Sequence, residues 1–351
     1  MAKLIHIAVV HRTLVIIISV FLLSITSVWA EQTGFSCENP CFSPNGEYIA
    51  FTGTVKIDDK NESSSVCILR LKDRKIIREI PRAMHPSWSP DGKKLVFVSE
   101  DNQFIFVTEA SGGDNKQLFE RKDLVRYLSA FYTYMTKEGL SDMAISYDDP
   151  FWAKDNNIYF SVHFPNYNFE KSGIYRYNPE QRVFLYHPGS LLNSNPSFSP
   201  ETGLLIVSEA ETISINLFFM NEDGHKWKIT KREVGEDRSP AISPDGKKVA
   251  YSRSDYMTSL LEGSFYIEEY NDYTTNIYVF DLQKTDDNDS YKGFTPGNIK
   301  KLTNGGFNNW PAWSPDGKKI VFCRSEGPKK DENYRLYIMD LETGKTEKVE
   351  F

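Results

Sequence analysis

The chain has 351 residues, of which 40% are hydrophobic, 14% aromatic and 25% charged, and its formal net charge is −7. This composition is that of an ordinary globular protein and excludes long disordered, collagen-like and coiled-coil chains. A chain of this length can bury a core without a metal or a disulfide. The acidic balance, with no Lys/Arg-rich run, argues against nucleic acid as a partner.

Residues 1–30 differ from the rest of the chain. They contain basic but no acidic residues, and an apolar run over 14–23 is followed by small residues up to Ala30. This order is typical of a secretory signal peptide cleaved after Ala30. The alternative is an uncleaved anchor, because an apolar stretch that continues to Ala30 is just long enough to span a bilayer. Both interpretations predict a periplasmic or secreted location for residues 31–351, with membrane attachment only if the segment is uncleaved.

The four cysteines all follow this segment: Cys37, Cys41, Cys67 and Cys323. An even number of cysteines in an exported chain permits disulfides, and the alternative is buried thiols. The spacing of Cys37 and Cys41 is similar to half of a zinc motif, but no matching Cys or His pair follows, so we expect no zinc.

A repeated motif runs through residues 40–351. It consists of Pro, a variable residue, Trp or Phe, then Ser-Pro-Asp-Gly and a short apolar run, with its leading prolines at 40, 86, 150, 196, 240 and 311. The copies at 85–97, 239–251 and 310–322 are nearly identical, and the copy that begins at Asp149 is degenerate. Unit lengths of about 45 residues are typical of four-stranded propeller blades.

Each unit supplies four predicted strands. The first is the Pro-x-Trp/Phe-Ser stretch, the second is the apolar run after the turn, the third is rich in aromatic and β-branched residues, and the fourth is polar. We therefore predict an all-β fold over residues 31–351: a six-bladed β-propeller of four-stranded blades. Leu124, Leu128, Phe131 and Met135 recur at helical spacing, which predicts one short helical insertion.

Three elaborated loops are predicted to lie on one face of this propeller, because strands alternate in direction. They carry aromatic residues of the kind enriched at binding surfaces. The candidate ligand-binding aromatics are Tyr127, Tyr132, Phe164, Tyr167, Phe265, Tyr266 and Tyr270. The alternative is that these rings pack the loops onto the propeller. The opposite face, with the Pro-Asp-Gly turns, is interpreted as scaffold.

Polar residues precede the leading prolines and are predicted to surround the mouth of the central channel. The candidate ligand-binding residues of this group are His85, Asp148, Asp149, Asn195, Arg238 and Trp310. A channel lined only by water is the alternative. His85 with the two aspartates is the nearest approach to an acid/base or metal cluster, but three common residues are too few to predict a catalytic residue or a metal ligand. We predict no cofactor, with a channel-bound divalent cation as the alternative.

The repeat Pro-x-Trp-Ser-Pro-Asp-Gly-Lys-Lys-Ile-Val-Phe resembles the WD-like repeat of the TolB-like propellers over residues 40–351. The same repeat occurs in prolyl-oligopeptidase-type peptidases and oligogalacturonate lyases. The resemblance implies the propeller fold and a capacity to bind a partner protein. The chain lacks room between Ala30 and Pro40 for the N-terminal domain of TolB. It has no Gly-x-Ser-x-Gly elbow of a peptidase, and its histidines do not match the histidine-rich metal centre of the lyases.

The functional prediction is an exported, non-catalytic propeller. It would bind a protein, peptide or envelope glycan on its aromatic face and act as a monomer in the cell envelope. The alternative is a hydrolase or lyase that acts on polysaccharide or peptide at the channel mouth. A convergent set of carboxylates, histidine or a metal at the mouth would favour the enzyme.

Overall fold

The chain folds almost entirely into β-strands. The computed structural model describes residues 35–58, 61–131, 144–164, 172–188, 194–211, 214–221, 225–254, 274–284, 294–325, 327 and 333–351. Within these residues there are 24 strands and one helix. None of the helical segments described is long and apolar enough to cross a bilayer. The segment predicted as a signal peptide lies outside the described residues, so that assignment stays a prediction.

The strands of the first three repeats follow one another as antiparallel meanders. Their bounds are β1 Phe35–Phe42, β2 Tyr48–Lys56, β3 Glu62–Arg70, β4 Lys75–Pro81, β5 Ala83–Trp88, β6 Lys94–Ser99, β7 Ile105–Glu109, β8 Lys116–Gln117, β9 Ser146–Trp152, β10 Ile158–His163, β11 Gly173–Asn178 and β12 Val183–Pro188.

The last three repeats have the same order. Their bounds are β13 Ser194–Ser199, β14 Leu204–Ala210, β15 Ser214–Met220, β16 Lys226–Lys228, β17 Gly235–Ile242, β18 Lys248–Ser254, β19 Thr275–Lys284, β20 Phe294–Lys301, β21 Phe307–Trp313, β22 Lys319–Ser325, β23 Arg335–Asp340 and β24 Thr346–Lys348. These twelve strands form one sheet because short parallel pairings join β15 to β17 and β19 to β21.

Within each group of four strands, the polarity of a strand's residues fits how deeply that strand is buried. The second strands carry continuous buried runs, such as Ile320–Cys323 in β22, because both of their faces are covered. The fourth strands β4, β8, β20 and β24 are largely exposed, although their lengths range from two to eight residues. The sequence prediction of a polar outer strand is thus confirmed for these groups.

The first strand of every group contains the same β-bulge. In β21, Asn309 pairs with Cys323 and Ala312 pairs with Val321, so Trp310 and Pro311 together face a single residue of β22. The same two-against-one arrangement occurs in the other five groups. A bulge re-aims the side chain of its extra residue, and here it does so at each leading proline.

The hydrophobic core is divided into six clusters, and each lies between two groups of strands. Five clusters join consecutive groups along the chain. The sixth joins the first group to the last and contains Phe35, Ile49, Val321 and Leu336. The clusters therefore form a closed cycle, so the six groups surround a common axis.

The cycle closes where β1 meets β23. The amide of Cys37 donates to the carbonyl oxygen of Tyr334 at 3.0 Å, and the rings of Phe35 and Phe351 lie edge to face with centroids 6.1 Å apart. The first strand of the chain thus begins beside the third strand of the last group, as β17 begins beside β15.

The cysteines are free thiols. Cys37, Cys67 and Cys323 are buried in the closing cluster, and burial raises the pKa of each thiol above its ordinary value. Gly53 permits this packing, because a Cβ at that position would lie 3.0 Å from the ring of Phe35 and 3.3 Å from the sulfur of Cys67. Of the two alternatives left by the sequence, the structure therefore has buried thiols.

The predicted helical insertion is confirmed as α1, Arg121–Phe131, between β8 and β9. Its start is capped: the amide of Glu120 donates to the carboxylate of Asp123 at 3.1 Å. Leu124 and Leu128 are buried in the cluster between the second and third groups. The helix is held to the scaffold by this apolar side.

Candidate functional site

The residues before the leading prolines form a ring around the axis. All six have left-handed backbone conformations, with φ between 46° and 53°. These residues, called the channel ring here, are Asn39, His85, Asp149, Asn195, Ser239 and Trp310. Left-handed conformations are unfavourable for residues other than glycine and persist only where the surrounding structure imposes them. The bulges impose them here, and they turn the ring side chains toward the axis.

Two cavities meet at this ring. The larger has a volume of about 540 Å³ and is lined by the first strand of every group, from the ring to the turn residues such as Pro44 and Pro315. The smaller, of about 290 Å³, is lined by Glu38, Glu236 and Tyr334 among others. Asn195, Ser239 and Trp310 line both cavities.

The charged residues of the channel ring are His85 and Asp149, and they meet where the second strand group contacts the third. Nδ1 of His85 lies 3.3 Å from a carboxylate oxygen of Asp149 and also forms an ion pair with Asp148. These three residues are called the aspartate–histidine cluster. In a regular strand, two consecutive side chains point to opposite faces. The bulge at residue 149 lets both carboxylates reach one imidazole.

Hydrogen bonds from the backbone hold the two carboxylates in place. The amide of Asn195 donates to Asp149 at 2.9 Å, and the amide of Asp149 donates to Asp148 at 2.9 Å. The amide of His85 donates to the hydroxyl of Thr52 at 2.8 Å. Each cluster residue is therefore positioned by main-chain contacts as well as by its partners.

Burial and charge act in opposite directions on the pKa of these groups. Burial alone would lower the pKa of His85, but the charges of Asp148 and Asp149 outweigh it and raise that pKa to about 10. Burial, together with the charge of Asp148, raises the pKa of Asp149 to about 7. Burial opposes ionisation of Asp148 as well, yet the charge and hydrogen bond of His85 hold its pKa below the ordinary value. The cluster can hold a cation or exchange a proton.

The remainder of the ring is uncharged or internally paired. The hydroxyl of Ser239 donates to the side-chain oxygen of Asn195 at 3.3 Å. Arg238 donates to Glu236 at 2.9 Å. The ring of Trp310 packs edge to face on Tyr334, with centroids 5.3 Å apart. Of the six residues predicted at the channel mouth, five line one or both cavities and Asp148 contacts His85. Their charge is divided between the aspartate–histidine cluster and Arg238.

The predicted aromatic face is described only in part. Tyr127 packs against Tyr175 and Phe184. Phe164 is fully buried in the core between the second and third groups, so its side chain is a core element. The other candidates lie outside the described residues and stay predictions: Tyr132, Tyr167, Phe265, Tyr266 and Tyr270.

Sequence reasoning missed the larger cavity and part of the smaller one. The walls of the larger cavity include Trp88, Phe198 and Trp313 from the repeated motif, and it extends to the turns that were interpreted as plain scaffold. Glu38 and Asn309 line the smaller cavity. Each directly precedes a residue of the channel ring, as Asp148 does in the third repeat. Superposing the six copies at this position would have revealed them.

Of the other histidines, His163 acts on the cluster through its charge, which helps to lower the pKa of Asp148. Within the described ranges, His85, Asp148 and Asp149 are the one group of three His, Cys, Asp or Glu residues whose ligand atoms lie close enough together to hold a metal ion. All of these atoms lie within 4.8 Å of one another. A histidine-rich centre is not formed by the residues that the structure describes.

The fold is similar to that of solved β-propeller proteins. A protein assigned as TolB from Agrobacterium tumefaciens matches with a TM-score of 0.53 and 17% identity, over 81% of this chain and 87% of the other. TolB from Acinetobacter baumannii matches with a TM-score of 0.53 and 14% identity, over 90% of this chain and 62% of the other. An oligogalacturonate lyase in complex with manganese matches with a TM-score of 0.52 and 13% identity, over 89% of this chain and 77% of the other.

Neither protein-family models nor curated proteins give a match. At 13–17% identity, the structural similarities concern the fold and leave activity open. The chain has the β-propeller fold of the TolB-like proteins.

Proposed function

We propose that this chain is an exported, non-catalytic binding protein, built as a six-bladed propeller, that receives a protein, peptide or envelope glycan in its axial channel. The observation that carries this proposal is the cavity of about 540 Å³ lined by all six first strands. Ligand sites in proteins commonly have volumes of about 300–1,000 Å³ and apolar walls with a few polar groups. The six groups of four strands and the six core clusters support the blade count.

The chemistry of the cavity suits an elongated ligand. Proline and tryptophan side chains line its length, and the aspartate–histidine cluster and Asn195 lie at its inner end. Apolar walls can pack against a peptide side chain or the face of a sugar ring. The polar inner end would then select ligands with a hydrogen-bond donor or a positive charge at their tip.

The predicted aromatic face remains part of the proposal. Ser254 and Thr275 line the smaller cavity and flank the long insertion 255–273. The aromatic residues predicted in this insertion are proposed to form part of the binding surface. We also propose that the partner is a protein or a glycan, that the chain is located in the cell envelope, and that it is a monomer.

A second candidate is an enzyme that acts at the channel ring. The observation that favours it is Asp149, whose carboxyl group has a pKa raised to about 7 and lies beside His85. Groups with a pKa near the working pH are suited to general acid–base catalysis. This candidate predicts turnover of a polysaccharide or peptide, with loss of turnover in Asp149→Asn.

The binding function can be tested by photo-crosslinking in intact cells. Ala312 lines the larger cavity and is partly exposed, so a benzophenone amino acid at this position would face the ligand. Ile299 on β20 is 50% exposed and is absent from the channel wall, which makes it the matched control.

We expect a discrete adduct of higher mass from position 312 and none from position 299. Introducing Trp at Asn39, the ring position that Trp310 occupies in the sixth repeat, should remove the adduct, because the larger side chain narrows the channel. Equal adducts at positions 312 and 299, or no adduct at 312, would contradict a ligand in the channel. If the captured molecule, in its free form, is converted to product by wild type but not by Asp149→Asn, the enzyme is favoured.

A further inference from the structure

The aspartate–histidine cluster has the composition of a metal site. An imidazole nitrogen and two carboxylate oxygens are the donors that proteins offer to divalent first-row transition metals. Ligand atoms around one such ion lie about 3–4 Å apart, because each is about 2.0–2.2 Å from the ion. The donor atoms of His85, Asp148 and Asp149 all lie within 4.8 Å of one another, so small side-chain rotations suffice to enclose an ion.

The charges around the cluster favour a cation. Two carboxylates face one imidazole, so a negative charge is left over when both carboxylates are ionised, even with the imidazole protonated. The charge of Glu38 also acts on His85 and adds to the negative potential. Two positive groups outside the cluster oppose it: His163 acts on Asp148, and Arg238 acts on Asp149, although its guanidinium is itself bonded to Glu236 at 2.9 Å. A divalent ion would neutralise the excess charge more fully than a proton does.

The cluster is also prepared before any ion arrives. His85 and Asp149 come from different strand groups, and each occupies a bulge with a left-handed backbone. Asp149 keeps one oxygen on the amide of Asn195 at 2.9 Å, while its other oxygen faces His85 at 3.3 Å. A backbone bond to the distal oxygen is the kind of outer contact that orients a carboxylate ligand.

An ion at this place would be accessible from the channel. His85 and Asp149 both line the cavity of about 540 Å³. Three protein ligands leave coordination positions for water or for a donor atom of a molecule in that cavity. The cavity is thus an independent feature that gives an ion both a route of entry and a place for an exogenous ligand.

We propose that Nδ1 of His85 and one carboxylate oxygen each of Asp148 and Asp149 bind a divalent transition-metal ion of the Mn²⁺ or Zn²⁺ class, with open positions toward the larger cavity. The mixed nitrogen and oxygen donors favour these ions over Ca²⁺ and Mg²⁺, which prefer oxygen alone. Binding transfers the Nδ1 proton of a protonated His85 to solvent and involves no oxidant or reductant.

The test is calorimetric titration of the metal-free full chain with Mn²⁺, Zn²⁺ and Ca²⁺. We expect one Mn²⁺ or Zn²⁺ per chain and much weaker Ca²⁺ binding. Asp149→Asn and His85→Gln should each weaken binding at least about tenfold. The control Asp73→Asn removes a carboxylate that lies outside both cavities and should leave the affinity unchanged. Binding that is undiminished in both cluster variants, or absent in wild type, would overturn the site.

A second measurement uses only the wild-type chain, so it does not depend on the folding of the variants. Pulsed electron paramagnetic resonance of bound Mn²⁺, with ¹⁵N-labelled histidine, should show coupling to an imidazole nitrogen. Mn²⁺ held by carboxylates alone would show none, and that result would also overturn the site. The proposal is independent of the binding function above, because a metal-free channel can still yield the crosslink at position 312.

Discussion

The third and sixth repeats build the same turn from different residues. In the sixth repeat, Ser314 donates to Asp316 at 2.6 Å, and Gly317 is left-handed with φ of 69°. In the third repeat, Ala153 takes the place of this serine, and Asn156 takes the place of the glycine with φ of 66°. Both turns close with an amide-to-carbonyl bond between the first and fourth residues, at 2.9 Å and 3.0 Å.

The difference shows which part of the repeat is required. The backbone path is the same in both repeats, and in both the aspartate accepts from the amide two residues further on at 3.0 Å. The other side-chain bonds that support the turn have changed. Asn156 accepts from the indole nitrogen of Trp152 at 3.0 Å, and Lys154 donates to the carbonyl oxygen of Pro244 at 2.7 Å. The degenerate repeat therefore keeps the geometry of the scaffold while it supplies the two carboxylates of the channel cluster.

The largest expected effect concerns the tryptophan that both repeats retain. Trp313 and Trp152 are each buried between neighbouring groups. Trp313→Ala and Trp152→Ala should each lower the free energy of unfolding by about 3–5 kcal/mol, because each removes a large buried side chain. Denaturant titration followed by circular dichroism measures both. A loss below about 1 kcal/mol in one variant would mean that the two repeats do not share this core role.

A smaller effect is expected at the left-handed turn position. Nothing lies within 4 Å of a Cβ added at Gly317, so Gly317→Ala should cost only backbone strain, about 1–2 kcal/mol. Gly317→Asn introduces the residue that the third repeat uses and should cost less, because asparagine tolerates this conformation. The same denaturant titration compares the two variants. Equal losses would show that conformation is not the reason for the glycine.

The smallest effect is a pH dependence that comes from the serine–aspartate bond of the sixth repeat, which the third repeat lacks because Ala153 replaces the serine. Bonds from the Ser314 hydroxyl and the Lys318 amide lower the pKa of Asp316. A carboxyl group with a lowered pKa in the folded state stabilises the fold at pH above about 4, and this contribution is lost as the pH falls through that pKa.

Ser314→Ala should therefore destabilise the protein by about 0.5–1 kcal/mol at pH 7, and the difference from wild type should shrink as the pH falls through the folded-state pKa of Asp316. Thermal unfolding across this range measures the change. The same substitution made together with Asp316→Asn should have a pH-independent effect. If it does not, the pH dependence comes from another group.

Much of the scaffold was predictable because its signals are local. A turn such as that at Asp316 depends on bonds between residues at most five positions apart. The period of the leading prolines predicted the six groups, and the helical spacing of Leu124 and Leu128 predicted α1. The left-handed conformation before each proline was not predicted, because only the pairing with the second strand reveals the bulge.

The candidate site was predictable by residue but not by arrangement. The sequence predicted that His85 and Asp149 approach the axis, since both precede a leading proline. It contained no signal that Nδ1 of His85 would meet the two carboxylates, or that the larger cavity would extend toward the turns. For Phe164 the sequence predicted the wrong surroundings. An aromatic residue at a loop boundary can pack into the core as well as face solvent, and Phe164 packs into the core.

The sequence by itself determined the repeat, its turns and the polar character of the residues that approach the axis, because each depends on residues close together in the chain. Only the tertiary structure decided which of these residues touch. His85 and Asp149 are 64 positions apart in sequence, and they meet because the strand groups close into a cycle around the axis and the bulges turn both side chains inward.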